Sequence, residues 1–145
     1  MKRLTYVLRF ERPPDSPSEA ATAPALVVTT QIEATGVSSR WKPLPEGKAT
    51  LDLQYAVLGD GSWFAEWGTV TFGDAAASSL TFGSVAPGTL GPADADGFSH
   101  GTVTYAIGSG SGQFSGATGF INSNFLVDLK FNHLIDTHLG VVRVP

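Results

Sequence analysis

The chain has 145 residues, of which 42% are apolar and 15% charged, and it contains no cysteine. This size and apolar content suit one buried core and exclude a disordered chain, while the missing cysteine excludes disulfides, thiolate nucleophiles and Cys-based zinc sites. The net charge is −4, and no Lys or Arg lies between Lys48 and Lys130, so the cationic face that nucleic-acid binding needs is absent.

The N-terminal part of the chain alternates between strand patterns and loops. Residues 4–10 form the first predicted strand, and residues 11–24, rich in Pro, Ser and Ala, form a loop or lid. Apolar and polar side chains alternate in residues 25–35 and again in residues 48–58. This period of two indicates strands with one buried and one solvent-exposed face. The Gly-Asp-Gly sequence at residues 59–61 then predicts a tight hairpin turn.

The next predicted strand, residues 62–72, has no polar face. Trp63 and Trp67 share one side, whereas Phe64 and Glu66 lie on the other. Apolar side chains on both faces are typical of a barrel strand whose outer side meets another subunit or a loop. We therefore expect a homodimer or a homotrimer.

The remaining strands are predicted at residues 78–86, 98–107, 119–129 and 137–144, with no amphipathic helix between them. Eight antiparallel strands joined by short turns close into an up-and-down, lipocalin-like β-barrel, which leaves no free edge and can hold one small ligand. The sequence therefore predicts a single all-β domain over residues 1–145, with a two-sheet sandwich as the alternative.

Five glycines lie within residues 108–119, Gly-Ser-Gly-Ser-Gly-Gln-Phe-Ser-Gly-Ala-Thr-Gly. The segment has neither the G-x-G-x-x-G spacing before a helix nor the Gly-Lys-Ser/Thr ending that phosphate-binding loops need. Predicted strands on both sides exclude a free linker. We predict a bend between two barrel strands, with Phe114 packed against the core.

With the residues before it, the glycine segment resembles a known family. Residues 105–119, Tyr-Ala-Ile-Gly-Ser-Gly-Ser-Gly-Gln-Phe-Ser-Gly-Ala-Thr-Gly, are similar to the Gly-Ser/Thr-Gly-x-Phe-x-Gly-Ala-x-Gly segment of the allene oxide cyclase barrel superfamily. That group includes allene oxide cyclases, dirigent proteins and bacterial spirotetronate cyclases. The resemblance implies an eight-stranded, often oligomeric barrel that binds an apolar, reactive intermediate and steers its cyclisation or coupling. It carries over no catalytic residue.

Glu66 is the first candidate for chemistry, because a carboxyl group among aromatic side chains has a raised pKa and can act as a general acid or base. The alternative is that it faces solvent or a charge at a subunit contact. Asn122 and Asn124 share one side of their strand and could hold an enolate, a carbonyl or a water, with an outward polar face as the alternative. We assign Asn124 to catalysis beside Glu66.

Aromatic side chains could line a pocket for a planar or polyene ligand, although such residues also build ordinary cores. The predicted substrate-binding residues are Tyr6, Trp41, Tyr55, Trp63, Phe64, Trp67, Tyr105, Asn122 and Phe125.

His133, Asp136 and His138 form an H-x-x-D-x-H pattern whose side chains could bind a metal, zinc foremost. The pattern spans a predicted turn, however, and Asp136 would occupy a position in that turn where aspartate is favoured. We therefore predict no metal and no cofactor.

These observations predict a cyclase or isomerase that binds a small apolar substrate in the barrel and steers its rearrangement, with limited acid or base help. A non-catalytic carrier for a small hydrophobic ligand is the alternative, and a metal-assisted lyase or hydratase is the second. The N-terminal apolar run is broken by Arg9 and Glu11, unlike a signal peptide, and no segment reaches the length of a membrane span. We expect a cytoplasmic protein with neither a membrane nor a nucleic-acid partner.

Overall fold

A computed structural model describes residues 1–17, 20–33, 36–73, 78–93 and 97–145, and within residues 23–47 it describes the backbone alone. Over these ranges the chain forms nine strands and one turn of 3-10 helix, Gly112–Phe114. The strands are β1 (Lys2–Arg12), β2 (Ala21–Glu33), β3 (Gly36–Leu58), β4 (Trp63–Phe72), β5 (Ser78–Ser84), β6 (Gly88–Pro92), β7 (Ser99–Ser111), β8 (Thr118–Asp128) and β9 (His133–Val144).

These strands close into an antiparallel barrel with eight positions. They follow one another in chain order around the barrel, and β9 pairs with β1 along its length to close it. Strands β5 and β6 share one position, because both lie between β4 and β7. The predicted eight-stranded up-and-down barrel is confirmed, with its fifth strand interrupted between Ser84 and Gly88. Closure also excludes the two-sheet sandwich.

The period of two along each strand sets which side chains enter the barrel. In β4 Phe64, Glu66 and the later apolar residues are buried, while Trp63 and Trp67 are about half exposed on the outer side. Both faces of this strand were apolar, so its sequence alone did not choose between them. The closed sheet decides which face is buried, because the inner face must pack against the other seven strand positions of the barrel.

Aromatic rings fill the interior where the opposite strand has a glycine. Each ring lies over the glycine that is its direct cross-strand partner, and the pairs are Tyr6 with Gly140, Phe64 with Gly88, and Phe125 with Gly101. A methyl group on any of these glycines would lie 2.1–2.3 Å from a ring carbon. The rings therefore fit only because the neighbouring strand has no side chain there.

The glycine segment closes one end of the barrel. Strand β7 runs through the first glycines to Ser111, and the 3-10 turn then places Phe114 inside, 4.8 Å from Phe72 between ring centroids. Gly112 has φ +58°, a left-handed conformation that glycine adopts without strain. The predicted bend with a buried Phe114 is confirmed.

Several strands begin or end elsewhere than predicted, and the largest difference is in β3, which begins at Gly36 rather than at residue 48. Strand β1 extends to Arg12 and β2 begins at Ala21, so the connecting loop is shorter than the predicted residues 11–24. Strand β9 begins at His133 rather than at residue 137. The 3-10 turn is the one helical segment among the described residues, and nothing in those ranges forms a helix that could span a membrane.

Candidate active site

A cavity of about 250 Å3 opens from the barrel interior at the end opposite the glycine turn. Its walls are mostly aliphatic and aromatic, and include Leu51, Phe64 and Phe125. The connections at this end include the loop after β1, the hairpin between β3 and β4, and the turn between β8 and β9. Two carboxyl groups, those of Glu66 and Asp136, also line the cavity.

The Glu66 backbone is hydrogen-bonded to Ser84, at the point where the fifth barrel position is interrupted. Its backbone N–H donates to Ser84 Oγ at 2.8 Å, and Ser84 Oγ donates to the Glu66 carbonyl at 2.9 Å. Ser84 thus replaces the ladder hydrogen bonds that a continuous strand would supply. Ser84 is also the direct cross-strand partner of Tyr105. Because the Ser84 side chain is short, the side chains of Glu66 and Tyr105 can contact each other across it. The Tyr105 hydroxyl donates to Glu66 Oε2 at 2.5 Å.

Asp136 forms a second polar group on β9. Ser123 Oγ donates to Asp136 Oδ1 at 2.7 Å, and His138 Nε2 donates to Oδ2 at 3.0 Å. All three side chains are buried, and the strand period puts Asp136 and His138 on the same inner side. Ser123 is the direct cross-strand partner of His138, which brings it beside Asp136.

Aromatic rings surround this second group. The His138 ring packs against Phe10, Tyr105 and Phe82, with centroid distances of 5.0, 5.8 and 6.0 Å. Among the described residues, its Nδ1 and the hydroxyl of Tyr6 are buried atoms without a hydrogen-bond partner. Since buried polar atoms are nearly always paired, these two mark an unusually polar zone in an aromatic interior.

Burial changes the acid–base behaviour of the interior. It raises the pKa of Glu66 to about 7; the Tyr105 hydrogen bond opposes that rise, the charge of Asp136 adds to it, and His138 opposes it. Burial also raises the pKa of Tyr105, as do the charges of Glu66 and Asp136. Burial and Asp136 likewise raise the pKa of Tyr6. At neutral pH both tyrosines therefore keep their protons, while Glu66 is close to half protonated.

The structure brings together only part of the predicted site. Five of its residues are buried in the barrel, namely Tyr6, Phe64, Glu66, Tyr105 and Phe125. Tyr55 lies at the cavity mouth and is 64% exposed. Trp41 lies where side chains are outside the described part of the structure.

Four predicted site residues lie on the outer surface instead. Trp63 and Trp67 face outward on β4, where Trp67 Nε1 donates to Gln54 Oε1 at 2.7 Å. Asn122 and Asn124 lie on the outer side of β8, and Asn124 Nδ2 donates to Asn122 Oδ1 at 2.8 Å. None of the four lines the cavity. Side chains alternate between the two faces of a strand, and each of the four is directly next to a residue that faces inward.

The strand period also separates the three residues of the possible metal site. His133 faces outward, 3.6 Å from Glu11 between Nε2 and Oε1, while Asp136 and His138 face inward. Over the described ranges no three His, Asp or Glu side chains come close enough to share a metal ion. Asp136 was expected in a turn, but it lies in the middle of β9.

Ser84 and Ser123 were missed by sequence reasoning, and Asp136 and His138 were considered only as metal ligands. A usable signal was the spacing of two between Asp136 and His138, which puts both on one face of any strand. No such signal exists for the two serines, because serine occurs at many positions and only the strand pairing selects these.

Comparisons with known proteins add one distant likeness. No protein-family model and no curated protein matches the chain. Among solved structures it is similar to a pterocarpan synthase dirigent protein, with a TM-score of 0.44 and 16% identity over 99% of this chain and 90% of that chain. A likeness this distant carries no conclusion, so the barrel rests on the strand pairings described above.

Proposed function

We propose that the chain is a cofactor-independent cyclase or isomerase, which binds a small apolar substrate in the barrel cavity and assists its rearrangement by proton transfer at Glu66. The observation that carries the proposal is the Glu66–Tyr105 pair at the wall of an apolar cavity. A carboxyl group with a pKa of about 7 is half acid and half base at neutral pH, which is the condition under which one group can both give and take a proton efficiently.

The cavity supports the first half of the proposal. Its volume of about 250 Å3 exceeds the roughly 150 Å3 that is sufficient for benzene in an apolar protein cavity. A compact molecule of one or two rings therefore fits. Rigid walls restrict the conformers of such a molecule, and a near-attack geometry lowers the barrier without further catalytic groups.

The proton-transfer half can be tested without knowing the substrate. The probe is 5-nitrobenzisoxazole, a compact, apolar, bicyclic molecule. A carboxylate removes its C3 hydrogen, the ring N–O bond breaks, a nitrile forms, and the phenolate product absorbs visible light. The wild-type chain should accelerate this reaction, with a rate that rises with pH to a plateau and has its midpoint near 7, because the ionised form of Glu66 is the base.

Glu66→Gln should remove the part of the rate that titrates near pH 7, by roughly 10²–10⁴-fold. Asp52→Asn is the matched control, because Asp52 is an exposed carboxyl group on β3, and it should change nothing. Binding of naphthalene, followed by its fluorescence, should survive in both variants. An unchanged rate in Glu66→Gln would exclude Glu66 as the acid or base.

The carrier alternative gives a different result. It predicts that naphthalene binds to the wild-type chain while the benzisoxazole reaction is not accelerated at any pH. Asn124 has no part in the present proposal, because it lies on the outer side of β8, away from the cavity.

A further inference from the structure

The cavity contains two carboxyl groups in unlike surroundings, and the proposed function uses only one of them. Asp136 accepts a hydrogen bond at each oxygen, from Ser123 and from His138, which is the bonding of a carboxylate. Glu66 meets the Tyr105 hydroxyl and the negative charge of Asp136. When two carboxyl groups share one site, a proton remains on the one whose charge is less well stabilised. Here that group is Glu66.

A proton donor and a proton acceptor in one apolar cavity are the parts of an enolising site, where one group polarises a carbonyl oxygen and the other takes the neighbouring C–H proton. We propose that the substrate of this cavity is a compact enolisable ketone, with Asp136 as the catalytic base at the carbon beside the carbonyl and Glu66, in its acid form, as the donor to the carbonyl oxygen. This inference rests on the proposed function and adds to it a substrate class and a second catalytic residue.

The step balances for a ketone whose double bond lies one carbon away from conjugation. Asp136 removes a proton from the carbon between the carbonyl and the alkene, while Glu66 donates to the oxygen, and a dienol forms. Asp136 then returns the proton it took to the far alkene carbon of the dienol, while Glu66 recovers its proton from the oxygen. One hydrogen has moved, the double bond has become conjugated, and no oxidant or reductant is needed.

Ser123 and His138 are positioning residues for this step. Each holds one oxygen of Asp136, and the rings of Phe10, Phe82 and Tyr105 restrict the imidazole that does so. Neither Ser123 nor His138 lines the cavity, whereas Asp136 does. They therefore act on the substrate through Asp136.

The experiment uses the full chain and cyclohex-3-en-1-one, a one-ring neutral ketone that is small enough for the cavity. Its conversion to cyclohex-2-en-1-one is followed by the ultraviolet absorbance of the conjugated product, after subtraction of the buffer rate. The wild-type chain should accelerate the conversion. The rate should fall as the pH rises through about 7, because Glu66 then loses its proton. The charged and titratable groups around Glu66 are Tyr105, Asp136 and His138, with Arg12 on the wall of the same cavity.

Asp136→Asn should lower the isomerisation rate by roughly 10²-fold or more, the usual loss for a general base. Ser123→Ala keeps the carboxyl group and removes one donor, so it should lower the rate by a smaller factor and leave naphthalene binding intact. Asp52→Asn again serves as the matched control and should have no effect.

The two proposals fail in different ways. Absence of isomerisation by the wild-type chain overturns the ketone inference whatever the variants do, and so does a rate that rises with pH through 7. If the benzisoxazole reaction still depends on Glu66 in that case, the proposed function stands without it. If Asp136→Asn and Ser123→Ala both bind naphthalene and isomerise as fast as the wild type, Asp136 is not the base.

Discussion

Replacement of Glu66 by glutamine should make the protein more stable at alkaline pH than the wild type. Glu66 is 8% exposed, and its pKa rises from an ordinary value of 4.5 to about 7 in the folded chain. Between these two values the folded chain holds a proton that the unfolded chain has released. The free energy of unfolding therefore falls as the pH rises from about 4.5 to about 7, and above that range the loss is complete.

The size of the effect follows from the shift. A difference of about 2.5 pKa units corresponds to about 3 kcal/mol, since one unit is about 1.4 kcal/mol. Glutamine has nearly the same shape and cannot ionise. The difference in unfolding free energy between Glu66→Gln and the wild type should therefore grow by about 3 kcal/mol in favour of the variant between pH 4.5 and pH 8.

The assay is urea unfolding of both proteins at several pH values, followed by the fluorescence of the tryptophans. Comparison of the two proteins cancels every other titrating group that they share. Asp52→Asn is the control, because it removes a carboxyl group from the exposed side of β3, and its difference from the wild type should stay within about 0.5 kcal/mol at all pH values. If the Glu66→Gln difference varies by less than about 1 kcal/mol over the range, the desolvation argument is refuted.

Two further predictions concern packing. Gly140→Ala should destabilise the barrel by about 1–3 kcal/mol in a urea titration, because the added methyl group would lie 2.2 Å from the Tyr6 ring; Gly91→Ala, where nothing lies within 4 Å, should be nearly neutral, and equal losses would contradict this account. Phe114→Ala should cost about 3–5 kcal/mol in thermal unfolding because it empties the closed end of the barrel, whereas Phe120→Ala, at a side chain that is 57% exposed, should cost far less.

The apolar periodicity was sufficient to predict most of the fold. Alternation in residues 48–58 placed Leu51 and Leu53 on one face, and both line the cavity. The bend at the glycine segment, with Phe114 inside, also followed from local sequence. Such features depend on the chain a few residues either side, where the strand period and the conformational freedom of glycine act directly.

Strand ends and the fifth barrel position were harder to predict. Strand β9 begins four residues before the expected point because Leu134 and Asp136 pair with β1, a long-range contact that no local pattern reports. The segment Gly88–Pro92 is rich in glycine and proline, and no strand was predicted there. It forms β6 because the edges of β4 and β7 are exposed to it on both sides.

The sequence by itself determined that the chain is an all-β domain with a bend at its glycine segment, and that Glu66 lies on a strand among aromatic residues. Only the tertiary structure decided which side of each strand lies inside. It turned Glu66 toward the cavity and Asn124 toward the surface, and it joined Glu66 to Tyr105 and Asp136 to Ser123. The physical reason is that a period of two divides a strand into two faces but does not determine which face is buried. The closure of β9 on β1, which joins residues more than a hundred positions apart, makes that choice for all strands together.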